Sequence, residues 1–271
     1  MKLYRSSRAA RTLACGALIL FVFAPIVWIL VRSLENPVRT RVTDIPGFLE
    51  RYLSFAQYEA VLFHHRAFWA AWWNTLILAV PILLLAAAVA SPAAYGAVSL
   101  RPQSKKWVMG VYVLFSMLPL QMLLVPNYIV LHGMGLVGTR LAVIFIAVFS
   151  PYYPVFLCRS IGQIKRETLE AARMEGAGEL RIFVTIVLPQ IRLGLSTFFL
   201  ICGIEVWSMI EQPLVFLQEE QKYPLSILFR DMEPGLQYAG AVIYAVPMIL
   251  LYLCTAKDLA RGIPNWMEGE K

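Results

Sequence analysis

Two glutamates, Glu205 and Glu211, lie inside long apolar segments of the sequence. An ionisable side chain in such a segment is costly and is by default a functional candidate. On a helix, the face of Glu205 also carries the residues three, four and seven positions further on: Ser208, Met209 and Gln212. Their mixed donors and acceptors would suit the hydroxyl groups of a sugar, with Trp207 nearby for stacking on a sugar ring. A second interpretation stays open, in which Glu205 hydrogen-bonds to a partner helix and Glu211 lies where its helix meets water on the outer face of the membrane.

The sequence contains no residue pattern typical of a metal site or of a nucleotide-binding site. The four cysteines fall singly within apolar segments, and the three histidines are isolated from carboxylates and from one another. We therefore predict no metal site and no cofactor. Neither a G-x-x-x-x-G-K-[ST] phosphate loop nor an H-E-x-x-H helix occurs, which argues against an ATPase and against a membrane-embedded metalloenzyme. We expect no catalytic residues and no enzyme activity in this chain.

The segments that hold these residues are predicted to be membrane-spanning helices. Only 15% of the residues are charged, against roughly 25% in soluble domains, and several apolar runs reach about 20 residues, the length of a span. Backbone groups in hydrocarbon must be hydrogen-bonded within their own segment, so these runs should be helices. We predict an all-α, polytopic membrane protein with six transmembrane helices: 12–33, 71–98, 107–131, 140–160, 191–215 and 237–259. Prolines within or at the ends of these runs predict bends.

Basic residues predict the orientation of the spans. With the N-terminus inside, sixteen of the 24 Lys and Arg residues fall in segments on the cytoplasmic side, as the positive-inside rule requires. This gives a multi-pass protein of the cytoplasmic (inner) membrane, with a cytoplasmic N-terminus (1–11), a transmembrane domain (12–260) and a cytoplasmic tail (261–271). The first run is long and lacks an A-x-A-like cleavage pattern, which favours a retained span over a signal peptide. The bias also explains the basic excess without a nucleic-acid partner.

One sizeable cytoplasmic loop is predicted, at about 161–190. Its first half places Leu169, Ala172 and Arg173 on one helical face, and Gly176 and Gly178 then allow a sharp reversal. Its second half carries an apolar stripe at helical spacing: Leu180, Phe183, Val184 and Val187. We predict two short helices joined by a glycine turn. From the helical pattern alone, this loop either packs on its own bundle with Glu170 in solvent or is a docking surface, where small alanines allow close approach and Glu170 offers a charge.

This loop carries a motif whose residue types and spacing match the EAA signature in full: Glu170, Ala171, Ala172, Gly176, Ile186, Leu188 and Pro189. The chain thereby resembles importer permeases of the ATP-binding-cassette (ABC) class. The resemblance continues through Trp73–Ile77, Ser91–Gly96, Met117–Tyr128 and Arg261–Ile263, in the order found in the maltose-type carbohydrate uptake family. The six-span form is similar to the MalG-like subunit of that family.

The resemblance implies partners and a division of labour. It implies a second homologous permease in a heterodimer, two cytoplasmic ABC ATPase subunits and an extracytoplasmic solute-binding protein, all at a lipid membrane. ATP-driven closure of the ATPases would pass through the EAA residues and switch the pathway between outward and inward access. The family often has Trp-Asn-Asp or Trp-Asn-Glu in its fifth span. Here the stretch from Trp207 reads Trp-Ser-Met-Ile-Glu, so the resemblance carries over no particular solute.

The leading hypothesis is therefore a permease subunit of an ATP-driven importer for a sugar or oligosaccharide. A close alternative keeps the machine and changes the solute to an osmolyte, polyamine or amino acid. A more distant one is an ion-coupled secondary transporter that uses Glu205 and Glu211 as its relay. That class predicts inverted internal repeats, for which the sequence gives no convincing evidence, and it leaves the EAA loop without a purpose.

Overall fold

The protein is helical throughout the part that its computed structural model describes, residues 2–35 and 54–268, and no strand occurs there. Short helical turns lie at Ala56–Glu59, Ala60–His64, Glu220–Lys222 and Leu225–Leu228. The longer helices are α1 (Lys2–Ser33), α2 (Arg66–Ser99), α3 (Pro102–Ser116), α4 (Leu120–Gly133), α5 (Arg140–Val148), α6 (Tyr152–Ile161), α7 (Arg166–Met174), α8 (Glu179–Gln190), α9 (Arg192–Trp207), α10 (Glu211–Phe216) and α11 (Pro234–Glu268).

The number of spans agrees with the prediction. Four helical stretches are long and apolar enough to cross a membrane: Thr12–Ser33, Arg66–Ser99, Arg140–Ile161 and Gly235–Ala260. Two bent pairs pass the same test, α3 with α4 at 96° and α8 with α9 at 75°. With each bent pair counted as one span, the described residues hold six. The prediction of an all-α, multi-pass membrane protein is confirmed.

Three predicted spans differ in that they are broken. The predicted helix 107–131 ends at Ser116 and begins again after Pro119. The predicted helix 140–160 is interrupted before Pro151, and the expectation of one helix over 191–215 is wrong because α9 ends at Trp207. Proline has no N–H to continue a helical ladder, which accounts for the first two breaks. Hydropathy averaged over a whole run does not register a break of three residues.

The chain divides into two compact units. The described residues from Ala70 to Ile227 and from Pro247 onwards form the larger one. Within it, α2 presents a buried column at four-residue spacing: Leu78, Ile82, Ala86, Ala90 and Ala94. The three alanines let neighbouring backbones approach closely, as small residues do in membrane bundles. The Cys158 thiol on α6 accordingly reaches the Ala94 carbonyl at 3.7 Å.

Helix α9 packs closely against two neighbours in the same unit. A Cβ atom on Gly194 would lie 2.2 Å from the Ser160 hydroxyl of α6, and one on Gly203 would lie 2.5 Å from Leu251 of α11. Phe198, also on α9, meets the Tyr153 ring of α6 edge-on, with centroids 5.4 Å apart. These contacts hold α9 firmly up to the point where its helix stops.

The smaller unit comprises the described residues up to Trp69 and those from Leu228 to Val246. The end of α1 is fixed by a 2.7 Å hydrogen bond between the hydroxyls of Ser33 and Tyr58. The Gln57 amide donates to the Arg32 carbonyl at 2.9 Å. At the start of α11, the Gln237 amide donates to the Phe229 carbonyl at 3.0 Å. Within the segment between the first two predicted spans, residues 36–53 lie outside the described residues.

Candidate functional site

The EAA segment forms a helical hairpin, as predicted from its glycines. Helix α7 ends at Met174, and Gly176 takes a left-handed conformation with φ +83°. The Ala177 N–H donates to the Ala172 carbonyl and the Gly176 N–H to the Arg173 carbonyl, both at 3.0 Å. This pair of bonds is a Schellman motif, which closes a helix end and requires a left-handed residue. The prediction of two helices joined by a glycine turn is confirmed.

Helix α8 is not a regular α-helix, and this changes which of its residues are buried. Its middle, Phe183–Val187, is a π-helical turn, and Pro189 follows it in the last turn. The wider turn brings residues five apart onto one face, so Ile182 and Val187 are both fully buried. Of the predicted apolar stripe, Leu180 and Val184 are exposed whereas Val187 is buried, so the stripe is not one continuous buried face. The sequence period of 3.6 residues does not hold through a π turn.

The hairpin exposes apolar and charged groups side by side. Met174, at the end of α7, is 89% exposed, and Leu180 on α8 is 77% exposed. The Glu170 carboxylate is also exposed and pairs with Arg166 one turn earlier at 2.9 Å. Ala172 is buried against the chain, whereas Ala171 faces outward. An exposed apolar surface with a charge at its border is typical of a protein-docking site.

A contact that sequence analysis missed attaches this hairpin to α2. The Glu179 carboxylate at the start of α8 accepts a hydrogen bond from the Tyr95 hydroxyl at 2.6 Å. It also accepts two from the Arg173 guanidinium, at 2.7 and 3.3 Å. The bonding to Glu179 raises the pKa of Arg173. Tyr95 and Glu179 are 84 residues apart, so no local pattern indicates the pairing.

The three helix breaks meet at one cavity of about 690 Å³. The break between α3 and α4 contributes Ser116 and Leu118, and the break between α5 and α6 contributes Ser150. The break between α9 and α10 contributes residues 208–212. In membrane proteins, irregular backbone at membrane depth is tolerated where it lines a cavity or is buried in protein. The cavity is partly open and mostly apolar, with a small number of polar groups.

Most of the predicted pathway residues line this cavity, but not for the predicted reason. Glu205, Ser208, Met209 and Gln212 all lie on its wall, together with Glu211. The assumption that one continuous helix presents them is wrong, because Ser208 is already the C-terminal cap of α9. The break brings them together instead. The Met209 carbonyl, freed by the break, accepts a hydrogen bond from the Ser226 hydroxyl at 2.5 Å.

Trp207 differs from these residues in position. It is 3% exposed and is not part of the cavity wall. Its ring lies edge-on to Trp72 of α2, with centroids 6.5 Å apart. Glu211, by contrast, accepts a hydrogen bond from Gln121 at the start of α4, at 2.8 Å. This bond joins two of the broken segments at Glu211 on the cavity wall and was not anticipated from the sequence.

Comparison with known proteins identifies the family of the chain. Residues 86–256, more than half of the sequence, match the family model described as binding-protein-dependent transport system inner membrane component. The melibiose/raffinose/stachyose import permease protein MelC of Bacillus subtilis is 30% identical over 202 residues, 71% of this chain and 73% of that protein. Protein LplC of the same species is 25% identical over 186 residues, 60% of this chain but only 63% of LplC.

A solved structure shares the fold. It is that of a bacterial ABC transporter involved in the import of the acidic polysaccharide alginate, with a TM-score of 0.76 and 20% identity. The match covers 93% of this chain and 96% of that one. The family match includes both the EAA hairpin and the cavity segments of α5, α6, α9 and α10. The chain belongs to the binding-protein-dependent transport system inner membrane components, the permease subunits of ABC importers.

Proposed function

We propose that this chain is a permease subunit of an ATP-driven, binding-protein-dependent importer for a sugar or oligosaccharide. The observation that carries the proposal is the EAA hairpin, which presents Met174, Leu180 and Glu170 at an exposed surface. The seven signature residues Glu170, Ala171, Ala172, Gly176, Ile186, Leu188 and Pro189 are the proposed contact for a separate ATPase. The family assignment favours this machine over an ion-coupled secondary transporter.

The proposal includes a topology and a set of partners. Both termini and the EAA hairpin lie in the cytoplasm, which the distribution of Lys and Arg supports. Residues 12–260 form the membrane domain between the cytoplasmic segments 1–11 and 261–271. A second homologous permease, two ATPase subunits and an extracytoplasmic binding protein complete the importer. ATP is hydrolysed by the ATPase subunits, and this chain has no enzyme activity of its own.

The solute pathway runs through the cavity at the three helix breaks. Discontinuous helices at membrane depth form the solute sites of many transporters, because freed backbone groups and polar side chains become available there. Glu205, Ser208 and Gln212 are the proposed contacts on this chain. Trp207 is left out of the proposed pathway, since its ring packs against Trp72.

The charge of the cavity bears on the class of solute. Glu205 and Glu211 are both acidic, and none of the described residues that line the cavity is Lys, Arg or His. A carboxylate pair repels an anionic solute but accepts hydrogen bonds from hydroxyl groups. This supports a neutral sugar, such as the melibiose, raffinose and stachyose in the full name of MelC, over an acidic polysaccharide such as alginate.

In the proposed mechanism ATP is bound and hydrolysed outside the membrane, on the ATPase subunits. Closure of the two ATPase subunits moves α7 and α8, and the movement passes to the membrane helices that flank the cavity. The cavity then opens to one side of the membrane at a time. Closure of the ATPases on ATP favours one access state of the cavity, and their reopening after hydrolysis favours the other, so each cycle drives the solute in one direction.

Purification from the native membrane tests this function. The wild-type chain, extracted in mild detergent and analysed by mass spectrometry, is expected to bring a cytoplasmic ATPase and a second EAA-bearing permease. Glu170→Lys is expected to reach the membrane in equal amount, to lose the ATPase and to abolish uptake. Glu220→Lys, an exposed glutamate away from the hairpin, is the matched control. Recovery of the wild-type chain alone, under conditions that keep known importers intact, would overturn the proposal.

A further inference from the structure

The end of α2 nearest the EAA hairpin is joined to it by the polar side chain of Tyr95. Tyr95 lies in the last turns of α2 and is only 8% exposed. Its hydroxyl donates to Glu179 at 2.6 Å, and its ring packs on Phe183 with centroids 5.6 Å apart. Phe183 is the first residue of the π-helical turn in α8. The hydrogen bond and the ring contact therefore both hold α8 against α2.

The same carboxylate fixes the hairpin internally. Arg173, in the last turn of α7, forms a forked pair with both oxygens of Glu179 at the first residue of α8. A fork of this kind restricts the angle between the two groups as well as their distance. Because the Schellman turn at Gly176 closes the other side, α7 and α8 are held as one body. A displacement of α7 must then also displace Glu179.

The opposite end of α2 is held close to the cavity. The Asn74 amide donates to the carbonyls of Gln221 and Tyr223, at 2.6 and 3.2 Å. The Thr75 hydroxyl accepts the Leu225 N–H at 2.9 Å. The segment so held follows α10, whose first residues line the cavity. Asn74 and Tyr95 are 21 residues apart on one helix, which at 1.5 Å per residue is roughly 30 Å.

We propose that Tyr95 is a positioning residue that transmits movement of the EAA hairpin to α2 through Glu179. Helix α2 acts as the rod between the hairpin and the segment held by Asn74, so that docking events at α7 reach the cavity. This rests on the proposed function, since it assumes that an ATPase moves the hairpin. It assigns the step from hairpin to membrane helix to one hydroxyl group, which neither touches the ATPase surface nor lines the cavity.

Tyr95→Phe tests the proposal, because it removes the hydroxyl and keeps the ring on Phe183. The reporter is Ser150→Cys on the cavity wall, in a background with the exposed Cys15 and Cys254 replaced by alanine. The rate at which a methanethiosulfonate reagent modifies this cysteine is measured in the purified complex, with and without ATP and vanadate. This needs no knowledge of the solute. ATP hydrolysis is measured in the same samples.

The wild type is expected to change its labelling rate when ATP and vanadate trap the ATPases. In Tyr95→Phe that change should fall about tenfold, the lower end of the range for a hydrogen bond to a charged group. ATP hydrolysis should persist, so that the two activities separate. Tyr112→Phe on α3, a tyrosine away from the hairpin and the cavity wall, should behave as wild type.

Glu179→Ala, which removes both carboxylate oxygens, provides a second variant and a double-variant cycle. Combined with Tyr95→Phe it should be no worse than the more severe single variant, because both remove the same bond. A labelling response of wild-type size in Tyr95→Phe overturns the inference. Loss of the ATPase from Tyr95→Phe also overturns it, because the residue would then serve assembly. Absence of any ATPase from the wild-type complex would instead refute the proposed function itself.

Discussion

The EAA hairpin and the cavity are both made by interrupting helices, yet the interruptions are of different kinds. In the hairpin, one glycine at φ +83° reverses the chain and two backbone hydrogen bonds close the turn. In the cavity, three separate segments break near the same place, after Ser116, after Val148 and after Trp207. The hairpin is thus a local structure, and the cavity exists only once distant helices have packed.

This difference suits the proposed roles of the two regions. A docking hairpin must keep one shape while it moves, and the fork between Arg173 and Glu179 helps to hold it. A pathway must change shape, and helix breaks supply the hinges. The bond from Gln121 to Glu211 joins two broken segments and is exposed, so it is easily exchanged for a bond to solute or water.

The strongest test of the comparison removes the local turn. Gly176→Val places a β-branched residue where φ is +83°, a conformation that such residues essentially never adopt. The left-handed state costs about 1–2 kcal/mol even for an ordinary residue, so the hairpin should lose its native turn. We expect complete loss of uptake and of ATPase co-purification, with insertion of the six spans unchanged.

Gly178→Ala is the control for this loss. Gly178 caps α8 with φ −70°, and a Cβ atom there meets no atom within 4 Å. The variant should retain the ATPase in wild-type amount. If Gly176→Val also retains it, the hairpin shape has no part in docking and the contrast between the two regions fails.

The next effect concerns the register of α8. Leu180 is exposed, whereas Ile182 is fully buried and shares a face with the buried Val187, five residues on across the π turn. Ile182→Ala should lower the stability of the protein by about 2–5 kcal/mol, the usual cost of a buried cavity, seen as a lower melting temperature in detergent. Leu180→Ala should leave the melting temperature unchanged but weaken ATPase binding. If Leu180→Ala instead lowers the melting temperature and Ile182→Ala does not, then α8 is a regular helix that buries its apolar stripe.

The hairpin is a local structure and the cavity is not, and this difference determines how much of each region the sequence predicts. The hairpin, its glycine turn and the signature residues lie within 30 residues, so the two helices and the turn can be derived from the chain alone, although the π turn in α8 cannot. Tyr95 could not be assigned, because its partner Glu179 is brought near by tertiary packing. The six spans follow from hydropathy, and Pro119 and Pro151 mark two of the breaks. The third break, after Trp207, has no proline within it, which is why a continuous helix was predicted there.

The smallest expected effect lies in the cavity. Glu205→Gln keeps the shape of the side chain and its ability to bond hydroxyl groups, but removes the charge. A hydrogen bond to a charged group exceeds a neutral one by about 1 kcal/mol, so a bound neutral sugar should lose roughly fivefold in apparent affinity.

The affinity of the pathway is measured as the KM for uptake, with the ATPase and the second permease still recovered in wild-type amount. Glu220→Gln, off the cavity wall, is the matched control and should leave the KM unchanged. Since Glu205 sits where α9 ends and Gly176 where the hairpin turns, the two variants should separate completely, one losing solute affinity and the other losing the ATPase. If the KM is unchanged in Glu205→Gln, then Glu205 does not contact the solute. Its role is then a structural contact with a partner helix, and the proposal that the cavity binds a neutral sugar through it is wrong.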